Sequence, residues 1–294
     1  MQFDGNPAYG RITNFVYDAT IQNRLYATTL EKHLLVSNDN GANWTVLYTL
    51  PYENYAGQIQ NMRLAKNNTA LSFVEFYGPG SSLNVLTVLE LQTLSVLKQY
   101  SMPEMEIGSN FGDYGIFDDG TLNTVTIFAS NETDYVYHTK NGGTTWHKVF
   151  DASDYKGVIV NGISIDHNNS NKILIARNGG AGNVDGGLLI SSDSGETWSL
   201  KLDGMILQSV AVNPHNSNDI YAGTGLRWTY LDQEEELYHS TDGGETWTTI
   251  PFTWYAWETT GPLNNIQAIV FNPTNANNII VWKRTKSSPQ MTTA

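Results

Sequence analysis

Four copies of one eight-residue pattern constrain the fold of this chain more than any other feature. The copies span residues 37–44, 139–146, 191–198 and 240–247, and each is a polar, glycine-containing stretch that closes on a tryptophan. The closing tryptophans are 102, 52 and 49 residues apart. A period of about 50 residues predicts a repeat architecture, either a propeller or a solenoid.

The first interval is twice as long as the others, which indicates that one copy has lost its polar residues. Aligning Leu94-Ser95-Val96-Leu97 with Trp44-Thr45-Val46-Leu47 keeps the alternation of apolar and polar residues. Leu94 lies 50 residues after Trp44. We therefore expect a repeat unit there that retains its strands and lacks the polar hairpin.

Each unit contains four short β-like runs, which in the fourth unit are residues 160–165, 172–176, 187–191 and 198–202. This arithmetic predicts an all-β fold, a β-propeller of four-stranded antiparallel blades. The expected blades cover residues 10–50, 55–100, 105–150, 158–203 and 206–251, with a partial sixth blade at 265–285 and a flexible tail at 286–294. Because ring closure covers edge strands, an unfinished blade leads us to expect a portion of a larger ring.

Composition excludes several classes of function. The chain of 294 residues has a net charge of −13 and no cysteine, which argues against binding to nucleic acid and rules out disulfides and cysteine-based metal sites. No apolar run is long enough for a membrane-spanning helix, so we expect no membrane insertion. The histidines show no metal-ligand spacing, and we predict neither a metal nor a cofactor.

The repeated pattern Ser-x-Asp-x-Gly-x-Thr-Trp resembles the Asp-box, or BNR repeat, of sialidases, xyloglucan-degrading hydrolases and sortilin-like domains. The resemblance implies a structural role in the hairpin between the third and fourth strands of a blade. The residues with this expected role are Asp39, Trp44, Asn141, Trp146, Asp193, Trp198, Asp242 and Trp247. A calcium loop is the alternative, but each copy has at most one carboxylate in the loop position, whereas calcium takes 6 to 8 oxygen ligands.

In this family the functional face lies opposite the boxes, so the loops at the other end of each blade become the candidates. Two loops of the fifth unit, residues 225–236 and 252–262, are rich in aromatic residues. Flat rings beside hydrogen-bonding groups suit sugar rings and protein partners, although such aromatics also pack in interfaces. The candidate ligand-binding residues are Arg227, Trp228, Tyr230, Asp232, Trp254, Tyr255, Trp257 and Glu258.

Three functions remain open at this stage. The first is a secreted or cell-surface binding module for a glycan or protein, and the chain shows no signal peptide of its own. The second is a glycoside hydrolase, either sialidase-like or xyloglucanase-like. In the xyloglucan-degrading relatives a catalytic Asp follows the second strand of the first blade, where this chain has Leu30 and then Glu31. The third is a structural module within a longer polypeptide or a larger assembly. We favour the first over an enzyme, and we assign no catalytic residues for the second.

Overall fold

The computed structural model describes residues 12–29, 32–52, 57–79, 81–101, 110–131, 133–154, 158–179, 186–225, 236–251, 265–272, 275–284 and 290–293. These residues form all-β structure in two compact units. The first unit is drawn from Met1–Phe111, Asp118–Asn123 and Lys140–Thr145, and the second from Gly112–Phe117, Thr124–Thr139 and Trp146–Ala294.

The first unit contains two four-stranded antiparallel sheets, each with its strands in sequence order. Sheet 1 consists of β1 (Ile12–Tyr17), β2 (Leu25–Thr29), β3 (His33–Ser37) and β4 (Thr45–Thr49). Sheet 2 consists of β5 (Gln58–Ala65), β6 (Ala70–Phe76), β7 (Val85–Glu90) and β8 (Val96–Ser101). Sheet 2 corresponds to the sequence repeat that lacks a polar box. Leu94, at φ 53°, lies in the short turn between β7 and β8.

The second unit holds three more four-stranded sheets and one sheet of three strands. Sheet 3, which begins at the boundary of the first unit, has β9 (Asn110–Ile116), β10 (Val125–Asn131), β11 (Thr133–Thr139) and β12 (His147–Asp151). Sheet 4 has β13 (Val158–Asp166), β14 (Asn169–Gly179), β15 (Gly187–Ser191) and β16 (Ser199–Lys201). Sheet 5 has β17 (Leu207–Asn213), β18 (Asn216–Thr224), β19 (Leu237–Ser240) and β20 (Thr248–Ile250), and sheet 6 has β21 (Asn265–Asn272), β22 (Asn275–Arg284) and β23 (Gln290–Thr293).

The last strand differs from the expectation for the C-terminal residues. We expected a flexible tail at residues 286–294 and a sixth blade that stops after its second strand, but Gln290–Thr293 forms β23 and pairs antiparallel with β22. The four residues carry no hydrophobic alternation that would mark a strand. Pairing gives the long β22 backbone partners on its outer side, and this supplies the reason for a strand there.

Burial changes systematically across each sheet. In the second strand β2 and the third strand β15 every residue is buried, and in the second strand β6 all residues except the last are. The fourth strands β4, β16 and β20 begin with exposed residues. Consecutive sheets within each unit pack face to face and so cover both faces of the buried strands. Strands that are covered in this way have mainly apolar sequences. The cores between sheets 1 and 2 and between sheets 4 and 5 are built in this way.

A bulge interrupts the first strand of five sheets. The register with the second strand shifts between Ile12 and Asn14, Gln60 and Arg63, Val160 and Gly162, Leu207 and Ser209, and Ile266 and Ala268. A bulge frees backbone groups from the ladder, and side chains of neighbouring first strands satisfy them or bridge the strands. Asn161 Nδ2 donates to Leu207 O at 2.7 Å, and Ser209 Oγ donates to Ile266 O at 2.7 Å. First strands are thereby linked in succession.

Candidate functional site

The two ends of each sheet carry different groups. The turns from first to second strand and from third to fourth strand share one end, which we call the box end because the polar boxes lie there. The connections from second to third strand, and from the fourth strand to the next sheet, share the other end, which we call the loop end.

All eight candidate ligand-binding residues lie outside the described residues. They are Arg227, Trp228, Tyr230, Asp232, Trp254, Tyr255, Trp257 and Glu258. Leu30 and Glu31, which bear on the hydrolase hypothesis, lie outside them as well. These assignments stay predictions, and the site is built below from side chains that the structure describes.

The boxes close their own hairpins through the aspartate. In the box of sheet 4, Ser191 Oγ donates to Asp193 Oδ1 at 2.8 Å, while Thr197 donates its backbone N–H to Oδ1 at 2.9 Å and its hydroxyl to Oδ2 at 2.6 Å. Ser191 Oγ also accepts the N–H of Gly195 at 2.8 Å. The boxes of sheets 1 and 5 repeat this arrangement around Asp39 and Asp242.

The box of sheet 3 keeps the geometry without the charge. Asn141 Oδ1 accepts the N–H of Thr145 at 3.0 Å, and its Nδ2 donates to Thr145 Oγ1 at 2.8 Å. An amide can therefore replace the carboxylate, which means that the hairpin needs hydrogen-bonding capacity at this position rather than a negative charge.

Hydrogen bonding also sets the ionisation of the box carboxylates. Bonds from the side chain and N–H of Thr197 and from Ser191 lower the pKa of Asp193 to about 2. Bonds from the side chain and N–H of Asn43 and from Ser37 lower the pKa of Asp39 to about 2. The oxygens are thus engaged within the hairpin, and among the described residues no group of three or more acidic, histidine or cysteine side chains could hold a metal ion.

The tryptophan and glycine of the sheet 4 box join it to the preceding sheet. In sheet 4, Trp198 Nε1 donates to the carbonyl of Val149 in β12 at 3.0 Å, and its ring packs edge-on against Phe150 at 6.4 Å. Gly195 has φ +90°, and a Cβ placed on it would lie 2.5 Å from Val149 Cβ. The box is thus a structural fastening between neighbouring sheets.

At the loop end of sheets 1 and 2, three tyrosines gather around a carboxylate; we call Tyr48, Tyr52, Tyr77 and Glu75 the tyrosine cluster. Tyr52 follows β4 and Tyr77 follows β6, so two different loops bring them together. Their rings meet edge-on with centroids 5.2 Å apart. Tyr52 is 44% exposed, whereas Tyr77 is buried. The cluster therefore presents one open aromatic ring backed by a buried one.

Glu75 forms the floor of the tyrosine cluster and is only 1% exposed. Tyr77 donates its hydroxyl to Glu75 Oε2 at 2.9 Å, and Thr87 donates its hydroxyl to Oε1 at 2.6 Å. Gln99, an exposed residue of β8, donates from Nε2 to Oε1 at 3.4 Å and to Thr87 Oγ1 at 3.1 Å. The carboxylate is thus held by three neutral donors, and the weakest of these is the one nearest to solvent.

The surrounding loops hold Tyr77 in place. Asn84 accepts the N–H of Tyr77 at 2.7 Å and donates to the carbonyl of Gly78 at 2.8 Å, which closes the connection between β6 and β7. On the other side Gly57 lies so close that a Cβ there would be 2.9 Å from the Tyr77 ring and 2.7 Å from Leu50. The buried ring consequently has little freedom to move.

Burial and the charge of Glu75 govern the tyrosine hydroxyls. Desolvation, followed by the nearby carboxylate, raises the pKa of Tyr48 to about 12. Desolvation, the hydrogen bond to Glu75 and its charge also raise the pKa of Tyr77. Both hydroxyls therefore remain protonated donors at neutral pH.

Sequence reasoning assigned no role to this cluster. The loops at Tyr52 and Tyr77 are polar and rich in turn residues, and no motif in the sequence includes Glu75. The signal that could have found it is Glu75 as the one charged residue of β6, because a charged residue in a buried strand needs partners.

A second polar group lies at the box end of sheet 5. His239 Nε2 and Asp219 Oδ1 are 2.5 Å apart, and Asn213 Nδ2 donates to Asp219 Oδ2 at 2.6 Å. The ring of Tyr221 stacks on His239 at 4.3 Å, and burial together with Asp219 raises the pKa of Tyr221 to about 12. These groups satisfy one another between adjacent strands, which is the arrangement of a structural pair.

Comparisons with known proteins agree with the blades and the boxes. The chain is similar to an ancestral GH74 enzyme, with 15% identity over 95% of this chain and 35% of the enzyme and a TM-score of 0.57. It is also similar to YCF48 from Cyanidioschyzon merolae, with 14% identity over 98% of this chain and 96% of YCF48 and a TM-score of 0.57. It also matches a GH74 enzyme of Niastella koreensis, with 16% identity over 96% of this chain and 49% of the enzyme and a TM-score of 0.48. The chain spans about half the length of this GH74 enzyme. No curated protein matches it.

At such low identity the likeness concerns the fold, and with the order of the strands it defines an all-β protein of β-propeller blades. The family model described as BNR/Asp-box repeat matches residues 238–249, which include the box of sheet 5. The resemblance to Asp-box β-propellers is thereby confirmed. Among the described residues, no helix has the length and apolar character needed to cross a membrane.

Proposed function

We propose that this β-propeller is a binding module that recognises a glycan or a protein at the loop ends of its blades. The observation that carries the proposal is the tyrosine cluster, in which the open ring of Tyr52 is supported by buried Tyr77. Tyrosine supplies a large, stiff contact surface together with a hydroxyl, and such residues dominate the energetics of recognition sites. A secreted or cell-surface location belongs to the same proposal.

The rigidity of the cluster supports binding. Tyr77 is fixed by Glu75, Asn84 and the close approach of Gly57, so a partner that stacks on Tyr52 meets a surface that is already formed. Preorganisation of this kind lowers the entropy lost on association. The aromatic loops of the fifth unit would add a second contact region in the same proposal.

Binding fits the cluster better than hydrolysis does. A glycosidase places two carboxyl groups about 5–9.5 Å apart, on either side of the scissile bond. Glu75 is buried and held by three neutral donors, which suits a fixed support. The GH74 likeness shows the fold alone, and turnover of a xyloglucan oligosaccharide would be the result that favours a hydrolase. The larger ring and further domains expected from the sequence stay predictions.

The test is binding to glycan and peptide arrays by the wild-type chain and by Tyr52→Ala. We expect the substitution to remove or strongly weaken the array signals, while Tyr52→Phe keeps most of them because the ring remains. Ile21→Ala is the matched control: Ile21 is 43% exposed, against 44% for Tyr52, and lies at the box end of the same sheet. Array signals that survive in Tyr52→Ala would contradict a site at this position.

A further inference from the structure

Among the residues that the structure describes, no cation pairs with the buried carboxylate of Glu75. Within the described part of the chain its hydrogen bonds come from the neutral groups of Tyr77, Thr87 and Gln99. The ion pairs of the described residues are formed elsewhere, for example between Lys66 and Glu90. Burying a charge is costly unless an opposite charge compensates it. The site therefore has a negative charge that a ligand can neutralise.

Two basic residues of sheet 2, Arg63 and Lys98, do not fill this role. On β5, Arg63 pairs with Ser72 of β6, so its side chain lies on the sheet face opposite to that of Phe73 and Glu75. On β8, Lys98 alternates with Gln99 and lies over the ring of Tyr100 at 5.7 Å. The face that holds Glu75 is covered instead by aromatic side chains of sheet 1, with Tyr48 packed against Phe73 at 5.7 Å.

Tyrosine rings around a carboxylate match one ligand chemistry. Cations are attracted to the faces of aromatic rings, and more strongly where water is excluded. A guanidinium can in addition donate two parallel hydrogen bonds to a carboxylate. The net charge of −13 attracts positively charged partners to the molecule as a whole.

We propose that the tyrosine cluster is a receptor for a basic side chain, an arginine or lysine presented by a protein partner, with Tyr52 stacking on the cation and Glu75 neutralising it. This rests on the proposed binding function and names its ligand. Gln99 occupies the cation position in the absence of a partner: it is an exposed residue of β8, and its amide makes the longest contact to Glu75, at 3.4 Å. A ligand cation replaces that neutral bond with a charged one.

The test uses the full chain and two small probes, N-acetyl-arginine amide and N-acetyl-citrulline amide. Citrulline has nearly the shape of arginine without the charge. The tyrosine ring resonances are followed by NMR during titration into the millimolar range. We expect arginine to shift the Tyr52 and Tyr77 resonances and to bind at least about tenfold more tightly than citrulline, as expected for a cation against a ring and a carboxylate.

Two substitutions at an exposed position avoid disturbing the core. Gln99→Lys places a tethered ammonium beside Glu75, so it should abolish the shifts caused by arginine. Gln99→Met, similar in size and neutral, should retain them. Equal binding of arginine and citrulline, no shift with arginine, or arginine binding by Gln99→Lys as tight as by Gln99→Met would each overturn the inference.

The outcomes separate this inference from the proposed function. Array binding that is lost in Tyr52→Ala but shows no preference for basic residues would retain the binding module and reject the cation receptor. Array binding that is unaffected by Tyr52→Ala would reject the function of the cluster itself.

Discussion

Replacing Gly195 by alanine tests how the boxes join neighbouring sheets. Gly195 is the fifth residue of its box, and that position is glycine with φ between +83° and +101° in all four copies, Gly41, Gly143, Gly195 and Gly244. The fourth position also has positive φ but accepts Asn40 and Ser194. Positive φ alone therefore does not explain the glycine. The close approach of Val149 does, because an added Cβ would lie 2.5 Å from Val149 Cβ.

The expected loss of stability has two parts. A left-handed backbone costs a residue with a Cβ about 1–2 kcal/mol. Overpacking against a side chain that cannot withdraw costs about 1–3 kcal/mol, and here the nearest atom is the β-carbon of a strand residue. Gly195→Ala should thus lower the free energy of unfolding by about 2–5 kcal/mol.

Gly243→Ala provides the matched control, since Gly243 is the fourth residue of the next box. Its φ is +82°, and the nearest atom to an added Cβ is the side-chain oxygen of Asn218 at 3.3 Å. Only the backbone part should apply, about 1–2 kcal/mol. Urea unfolding followed by tryptophan fluorescence measures both. If Gly195→Ala destabilises the protein no more than Gly243→Ala does, the sheet-to-sheet contact is not what selects glycine.

Three further predictions concern pH and packing. Because hydrogen bonding lowers the folded-state pKa of Asp39 and Asp193 to about 2, below about 3.9 for an unpaired Asp, their stabilisation is complete above pH 4 and is lost as the pH falls towards 2; melting temperatures should show this, and Asp193→Asn should flatten the slope. Trp198→Phe removes an indole hydrogen bond and should lower stability by about 0.5–1.5 kcal/mol in urea unfolding, whereas an unchanged midpoint would contradict a role for that bond. Gly57→Ala should displace the ring of Tyr77 and weaken array binding as Tyr52→Ala does, and full binding by a folded Gly57→Ala would show that the ring position is unimportant.

Periodic features of the fold could be predicted from the sequence. The closing tryptophans determine the period. The Ser-Asp-Gly-Thr pattern determines the hairpin, because Ser191, Asp193, Gly195 and Thr197 hydrogen-bond to one another within the box. Sheet 2 could be predicted even though its repeat lacks the box, since the residues from Leu94 onward retain the alternation of apolar and polar residues. A set of residues that bond to one another locally, and that recurs at a fixed interval, can be recognised in a single sequence.

Features that depend on neighbouring sheets could not be predicted in this way. The bulge between Val160 and Gly162 has no marker of its own in the sequence. Next to it, the N–H of Val160 is accepted by Asp134, a residue of sheet 3 whose pKa is raised by burial. Strand β23 lacks a hydrophobic pattern and is explained by the open edge of β22. The tyrosine cluster likewise joins Tyr52 and Tyr77 from loops 25 residues apart, and only tertiary packing places them in contact.

The separation of boxes and cluster at opposite ends of the sheets leads to a last argument about what each can do. A box aspartate directs its oxygens into its own hairpin, and Asn141 shows that the charge is dispensable, so substitutions there should change stability without changing ligand preference. Glu75 is a buried carboxylate whose neutral donors form hydrogen bonds to it but do not neutralise its charge. Evolution can retain such a charge when a partner supplies the missing cation, and the sensitivity of binding to Gln99→Lys, at unchanged or higher stability, is the property that a purely structural carboxylate would not have.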